Sequence, residues 1–414
     1  MDFPHIILLA SVLGGFLMAF SLGANDVANS MASAVGSKAI SVKQAVVIAC
    51  GLNFVGAVFL GAEVVSTISR GIISPDAVPD PNLFMLGMFA ALLSSGLWVL
   101  VATFTALPVS STHSIVGSLV GFGIVAGGPD VIHWSKLLGI VGSWLVSPFF
   151  GALLAFLVFS HIRKTILYSY NMLKAAKRWT PIWTSLTVTL IVLSFCYKTP
   201  YGKSLHLSGC YGLGIAAVAT VLTMMVMRYH LPAILRQYAE DADPGVQVDE
   251  LFRRMQIGTA CYVALSQGAN DVANAIGPVV AIYFVATSGV ISDSAAIPTW
   301  ILILGGVGIA FGILTMGYKV MDTVGERITK MNNTRGFSVA FSAATTVLMA
   351  SNLGMPISTT HATVGSVVGV GLARGFHAVD FRVLAKILLF WVLTVPIAGF
   401  SCIVIFQVLR WTFL

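Results

Sequence analysis

Twelve long apolar runs organise this chain, near 5–32, 43–62, 83–107, 110–126, 137–160, 182–196, 210–227, 255–285, 299–318, 337–355, 358–373 and 387–409. A membrane core takes about 20 apolar helical residues to cross, and most of the runs reach that length. The expected fold is an all-α polytopic membrane protein of about 12 transmembrane helices. Composition excludes a soluble enzyme: 57% of the 414 residues are hydrophobic and 9% are charged, against about 25% charged in soluble domains. The runs at 110–126 and 358–373 are short, and each follows a proline, Pro108 and Pro356. They read as tilted spans, or as broken or re-entrant half-helices, because proline disfavours helix just before it.

Charge sets the orientation. If all twelve runs cross and the N-terminus is outside, eighteen of the 23 basic residues fall on the inner side, among them Lys38, Lys43, Arg163, Arg253, Lys330 and Arg374. Only Arg70, Lys136, Lys198, Lys203 and Arg410 fall outside. That asymmetry is the positive-inside pattern, with both termini outside. The net charge of +7 is thus a topology signal, and no nucleic-acid partner is expected. Asp2 and no basic cluster precedes the first run, so no cleavable signal is read there. The basic stretch Arg163–Thr180 is expected along the inner surface, with Tyr168 and Trp179 at the interface. Residues 236–254 read as a cytoplasmic loop. The five cysteines are scattered, without a CxxC pair or disulfide framework; a Cys196–Cys210 bridge across a short loop stays open.

The chain repeats itself. GANDVAN at 23–29 recurs unchanged at 268–274, and LPVSSTHSIVGSLVGFGI (107–124) returns as MPISTTHATVGSVVGVGL (355–372) with 10 of 18 positions identical. The first GANDVAN lies on the first span and the second on the eighth, so the copies run in opposite directions. An inverted-topology repeat of this kind is typical of secondary transporters, whose sites form at the repeat interface. The expected organisation is a first repeat over 1–160, a connector with two spans over 161–254, and a second repeat over 255–414.

Asp26 and Asp271 are the only acidic residues within the runs, and the one basic residue, Lys43, stands at the first position of its run. A charge at membrane depth costs about 2.5–3.5 kcal/mol on insertion scales, so a symmetric pair calls for a reason. At 100° per residue, Asn25, Asn29 and Asp26 sit at about 0°, 40° and 100° around a helix. Each motif therefore offers one face of two amides and a carboxylate: Asn25, Asp26 and Asn29, and again Asn270, Asp271 and Asn274. Oxygen donors with one negative charge per site suit a hard monovalent cation such as Na+, or a proton, and no transition metal. A single buried Asn often serves packing alone; the duplication with a carboxylate favours the cation site. Gly23, Ala24 and Ala28, with Gly268, Ala269 and Ala273, let a second backbone approach.

The second motif has the opposite chemistry. Ser110, Ser111 and Thr112 follow Pro108 where a helix should start, as do Ser358, Thr359 and Thr360 after Pro356. A helix N-terminus carries free N–H donors and partial positive charge, and neighbouring hydroxyls add donors without a buried cation. Two such ends suit a tetrahedral anion; ordinary capping is the plainer reading of either alone. Gly117, Gly121 and Gly123, with Gly365, Gly369 and Gly371, read as close-packing positions. His113 and His361 fit a titrating pair, support for the hydroxyls, or core imidazoles. Glu63, Ser66, Thr67, Asp322 and Thr323 are weaker candidates, either lining the site or marking its boundary. The sequence holds no GxxxxGK[ST], HExxH or GxSxG pattern, so no cofactor and no enzyme activity are expected. A passive ion channel or an intramembrane enzyme is the alternative class.

These paired motifs, GANDVAN followed by P[VI]S[ST]TH, resemble the inorganic phosphate transporter (PiT) family over essentially the whole chain outside the connector. The resemblance implies a symporter in the cell (inner) membrane that imports inorganic phosphate with Na+ or H+, as a homodimer. Some members carry sulfate. It also implies that Asn25, Asp26, Asn29, Asn270, Asp271 and Asn274 serve the cation, and that Ser110, Ser111, Thr112, Ser358, Thr359 and Thr360 serve phosphate. Gln267 stands where relatives often have His, and the short connector resembles compact prokaryotic forms.

Overall fold

A computed structural model of the chain describes residues 2–62, 65, 78, 80–198, 209–236, 243–288, 297–352 and 357–414. Among these residues there are thirteen α-helices and no strand. They are α1 (Phe3–Gly36), α2 (Val42–Leu60), α3 (Pro81–Phe104), α4 (Ser111–Gly127), α5 (Trp134–Ile162), α6 (Met172–Lys198) and α7 (Gly209–Arg236). They continue as α8 (Pro244–Ser288), α9 (Thr299–Met316), α10 (Tyr318–Asp322), α11 (Asn333–Asn352), α12 (Thr359–Arg374) and α13 (Phe381–Phe413). Among the described residues, nine helices, α1–α3, α5–α9 and α13, are long and apolar enough to cross a membrane. The protein is therefore an integral, multi-pass membrane protein.

Helices form over all twelve apolar runs, but not with equal reach. With 17 and 16 residues, α4 and α12 extend only about 26 and 24 Å at 1.5 Å per residue. The hydrocarbon core is about 30 Å thick, so neither spans it unaided. Of the two sequence readings, half-helices behind a break fit better than tilted spans. The break between α3 and α4 is explicit: Ala106 takes a left-handed φ of 56°, Pro108 follows, and the Ser110 side chain accepts from His113 N to start α4. Ser358 starts α12 in the same way; Pro356 lies outside the described residues. The 20-residue α11 is long enough to cross, yet Ser338, Ser342 and Thr346 are buried along it. Those hydroxyls lower its hydropathy.

Two sequence readings need correction. Residues 244–254 are the first turns of α8, not loop. Val248, Leu251, Phe252 and Met255 recur at helical spacing, and Val248 and Phe252 pack with Ile162, Ile166, Phe337 and Phe341. The intervening charges hid that stripe from a hydropathy count. One of them, Asp249, accepts from Asn333 Nδ2 at 2.7 Å and from Thr334 N at the start of α11. Likewise, Arg163–Thr180 is not a separate surface segment. Arg163–Leu167 continues α5 as a π-helical turn, and α6 begins at Met172 with Ala176 and Thr180 buried. Tyr168, Tyr170 and Asn171 stand exposed at the turn. All five cysteines are free, with Cys196 buried and Cys210 exposed, so they are not bridged.

Helix packing is reciprocal between the two halves. Helix α1 packs against α9, and α8 against α2. Helix α4 packs against α13, and α12 against α5. Helices α1 and α8 also pack on each other at the centre, while α6 and α7 form a hairpin to one side. Small residues set these crossings. A Cβ on Gly23 would strike the Ile309 backbone of α9, and one on Gly268 the Asn53 backbone of α2. On the half-helices, Gly117 faces the Val395 backbone of α13, and Gly365 and Gly369 face those of Pro148 and Ala152 on α5. Because backbone cannot rotate away, Gly365→Val is expected to destabilise the protein by about 1–3 kcal/mol or more. Thermal unfolding in detergent checks this; an unshifted Tm would contradict the close crossing.

Candidate functional site

The GANDVAN segments occupy the facing middle portions of α1 and α8. Asn25, Asp26, Asn29, Asp271 and Asn274 are each 5% exposed or less, and Asn270 is half-buried. Asp26 and Asp271 lie within electrostatic range of each other. Gln267 links them, its Nε2 donating to the Asp26 carbonyl and its side chain reaching the Asp271 carboxylate. The sequence had marked Gln267 only as a departure from relatives, yet it bridges the pair.

The half-helices bring their N-termini to this pair. Asn29 Nδ2 donates to Thr360 Oγ1 at 3.0 Å and to Thr359 Oγ1 at 3.3 Å. In the reciprocal contact, Asn274 Nδ2 meets Thr112 Oγ1 at 3.5 Å. Each central helix thus reaches the hydroxyl of the other half's half-helix. Thr360 Oγ1 also donates to the Val109 carbonyl at 3.2 Å, and Thr363 Oγ1 to the Asn29 carbonyl at 3.2 Å. The hydroxyls of Ser111 and Thr360 lie beside the Asp26 carboxylate. Asp26, Asn29, Asn274, Ser111, Thr112, Thr359 and Thr360 therefore form one cluster.

The remaining candidates separate by role. Ser110 and Ser358 are the N-caps of α4 and α12, each accepting from the N–H three residues on at 3.3 Å. They order the first turn and leave the N–H groups of Ser111, Thr112, Thr359 and Thr360 without helical acceptors. Asn25 is fully engaged. Its Nδ2 donates to Thr103 Oγ1 and the Leu107 carbonyl, both at 3.1 Å, and its Oδ1 accepts from Val109 N at 3.1 Å. It braces the α3–α4 break, and its one side-chain oxygen already accepts a hydrogen bond. Thr323 braces the same break by donating to the Ala106 carbonyl at 2.7 Å. Asp322 instead pairs with Arg327 at 2.6 Å on the surface, 46% exposed, away from the cluster. Glu63, Ser66 and Thr67 lie outside the described residues.

An inventory of unpaired buried atoms is informative. Asp26 Oδ2, Asn29 Oδ1, Asn274 Oδ1 and Gln267 Oε1 are buried with no hydrogen-bond partner among the described residues. All four are oxygens with lone pairs. Such atoms cost about 1–3 kcal/mol each when left bare, and a hard cation satisfies several at once. A cavity of about 20 Å³ touches Asn29, Gln267, Asn270, Thr359 and Thr363. It has room for about one water.

Sequence reasoning missed two tryptophans. Trp391 on α13 donates from Nε1 to the Pro108 carbonyl at 3.1 Å and stacks on His361, ring centroids 3.7 Å apart. Trp144 on α5 lies against His113 at 3.6 Å. The signal was present, since Trp144 and Trp391 each precede a proline, Pro148 and Pro396, by four or five residues. That echo is too short to stand out without the packing.

The chain is similar to known proteins over nearly its whole length. The model of the phosphate transporter family matches residues 22–402. A protein of Pyrococcus abyssi described as a phosphate permease is 48% identical over 410 residues, covering 99% of both chains. One of Haemophilus influenzae with the same description is 40% identical, covering 96% of each. A solved structure described as a sodium-dependent phosphate transporter superimposes with a TM-score of 0.89 at 43% identity, covering 98% of this chain and 99% of its own.

The division of labour between the two asparagines is testable. Asn25→Ala is expected to lower stability by about 3 kcal/mol, from three lost hydrogen bonds at about 1 kcal/mol each. Asn29→Ala is expected to lower it less, because its Oδ1 is already unpaired. Melting of both variants in detergent compares them, and equal Tm losses would refute the distinction.

Proposed function

Because the chain belongs to the phosphate transporter family, a family of transporters and not of enzymes, we propose that it is a symporter importing inorganic phosphate with Na+. The observation that carries this reading is the cluster of unpaired buried oxygens on Asp26, Asn29, Asn274 and Gln267. It abuts two helix N-termini with free N–H groups and neighbouring hydroxyls. Unpaired acceptors suit a cation and free N–H donors suit an anion, and the two groups meet at Asn29, Thr359 and Thr360. The solved relative is described as sodium-dependent, which supports Na+ over a proton.

In this reading, Asp26 and Asp271 supply the charge that holds the cation, with Asn29, Asn274 and the half-buried Asn270 as neutral oxygen donors. Asn25 keeps the first half-helix in register with them. Phosphate takes the free N–H groups and hydroxyls of Ser111, Thr112, Thr359 and Thr360. Ser110 and Ser358, already capping, have their O–H hydrogens left to donate. Cation and anion neutralise each other at depth, which lowers the cost of burying either. The reciprocal packing of the halves supports an inverted repeat with the site at its interface. We further propose a homodimer in the cell (inner) membrane with both termini outside, in keeping with the basic asymmetry and the family resemblance.

Phosphate uptake into proteoliposomes under an imposed Na+ or pH gradient tests the coupling. Uptake is expected to follow the Na+ gradient. Asp26→Asn and Asp271→Asn are each expected to lower the Na+-driven rate by about 100-fold, the effect of losing about 2.7 kcal/mol. Uptake driven by a pH gradient alone would refute Na+ coupling, and intact Na+-driven uptake in either variant would refute the cation assignment. For orientation, an impermeant maleimide applied outside should label a cysteine placed at Lys136 and not one at Lys43, in a cysteine-free background.

A further inference from the structure

His113 and His361 sit at the third position of α4 and α12, one residue beyond Thr112 and Thr360. Both are buried, at 4% and 3% exposure. Their rings are 4.5 Å apart, edge to face, with Trp144 and Trp391 on either side. His361 Nδ1 lies 2.9 Å from the Trp144 carbonyl, and His113 Nδ1 lies 3.5 Å from that of Trp391. A carbonyl can only accept, so Nδ1 carries the hydrogen in each neutral ring and Nε2 presents a lone pair. Neither Nε2 has a hydrogen-bond partner among the described residues. Two buried acceptors, in symmetry-related positions, lack a donor.

Side chains of a helix lean toward its N-terminus, and a third-position side chain reaches back to the cap. In both half-helices that end is the proposed anion site, where the free backbone N–H groups are donors. An anion made only of acceptor oxygens leaves a bare imidazole lone pair unsatisfied. Phosphate differs because at neutral pH it keeps at least one P–OH, whereas sulfate keeps none.

Resting on the phosphate reading above, we propose that His113 and His361 are specificity-determining residues whose Nε2 atoms accept a hydrogen bond from the P–OH of the substrate, admitting protonated tetrahedral anions and rejecting sulfate. The hydrogen stays on phosphate, and no proton is transferred. A site that must hydrogen-bond a substrate hydroxyl can reject an analogue lacking it by about 10⁴–10⁵-fold. Arsenate, which carries the same hydroxyl, is admitted. Monofluorophosphate, nearly the same size but with fluorine in place of the hydroxyl, is refused with sulfate.

The test is Na+-driven phosphate uptake in proteoliposomes, competed by arsenate, sulfate and monofluorophosphate. Two substitutions separate the roles of the ring. Asn retains a donor near Nδ1 for the tryptophan carbonyl and removes Nε2, whereas Gln places an oxygen near Nε2. Arsenate alone is expected to compete in the native protein. In His113→Asn and His361→Asn the preference for phosphate over sulfate is expected to fall at least about tenfold, a loss of about 1.4 kcal/mol. The Na+ concentration for half-maximal uptake should stay the same, and His113→Gln and His361→Gln should keep the preference. Monofluorophosphate competing as well as arsenate in the native protein would overturn the proposal, whatever the variants do. So would Asn variants that transport slowly with unchanged selectivity, since that marks the rings as structural. Absence of any gradient-driven phosphate uptake by the native protein would overturn the transport reading itself, and this assignment with it.

Discussion

A helix that stops inside a membrane leaves backbone N–H and C=O groups where no water can reach them. That constraint governs this molecule. At the end of α3 the chain turns through Ala106 and Pro108 before restarting at Ser111, which leaves the groups of Leu107 and Val109 to be satisfied from elsewhere. Asn25 satisfies both, and Thr323 takes the Ala106 carbonyl. Because Asn25 precedes Asp26 on the same helix, bracing the break also fixes the carboxylate against the new N-terminus. The distance between cation-type and anion-type groups is thus set by one side chain's hydrogen bonds.

The reciprocal packing extends that coupling to the whole fold. Helix α4 lies on α13 and α12 on α5, through glycines that leave no room for a side chain at Gly117 and Gly365. Neither half therefore completes its own surroundings. Asn29 of the first half reads the hydroxyls of Thr359 and Thr360 in the second, and Asn274 meets Thr112 in return. Packing this tight is bistable rather than gradually deformable.

Much of this was legible in the sequence because membrane burial makes polar residues conspicuous. Asp26 and Asp271 stand out in runs with no other charge, and duplication of their motif reveals the pairing. Proline placed the half-helices, and hydroxyls marked their caps. The sequence could not say how one residue type divides its labour. Asn25 and Asn29 look alike on a helical wheel, yet backbone engages the first and leaves the second with a bare oxygen. The opening turns of α8 were hidden because Asp249, Glu250, Arg253 and Arg254 interrupt an apolar stripe that only tertiary packing reveals. Asp322 could be read as lining the site or as marking its boundary, and its carboxylate faces Arg327 at the surface. The tryptophans were missed because a ring contact across four helices leaves only the short Trp-to-Pro echo at Trp144 and Trp391.

The chemistry of the unpaired atoms also bears on the order of events in the proposed transport cycle. The oxygens beside the half-helix ends, on Asp26, Asn29, Asn274 and Gln267, all carry partial or full negative charge. Partial charges at two helix N-termini amount to about +0.5 each, too little to offset two carboxylates and an incoming anion. Without a cation, the site repels phosphate. Cations on the acceptors, one per carboxylate, reverse that sign, and their binding strengthens as the anion arrives, because coupling between two sites acts equally in both directions. On the proposed reading the symport is therefore written into the arrangement of donors and acceptors before any helix moves, since each cargo supplies the charge that lets the other be buried.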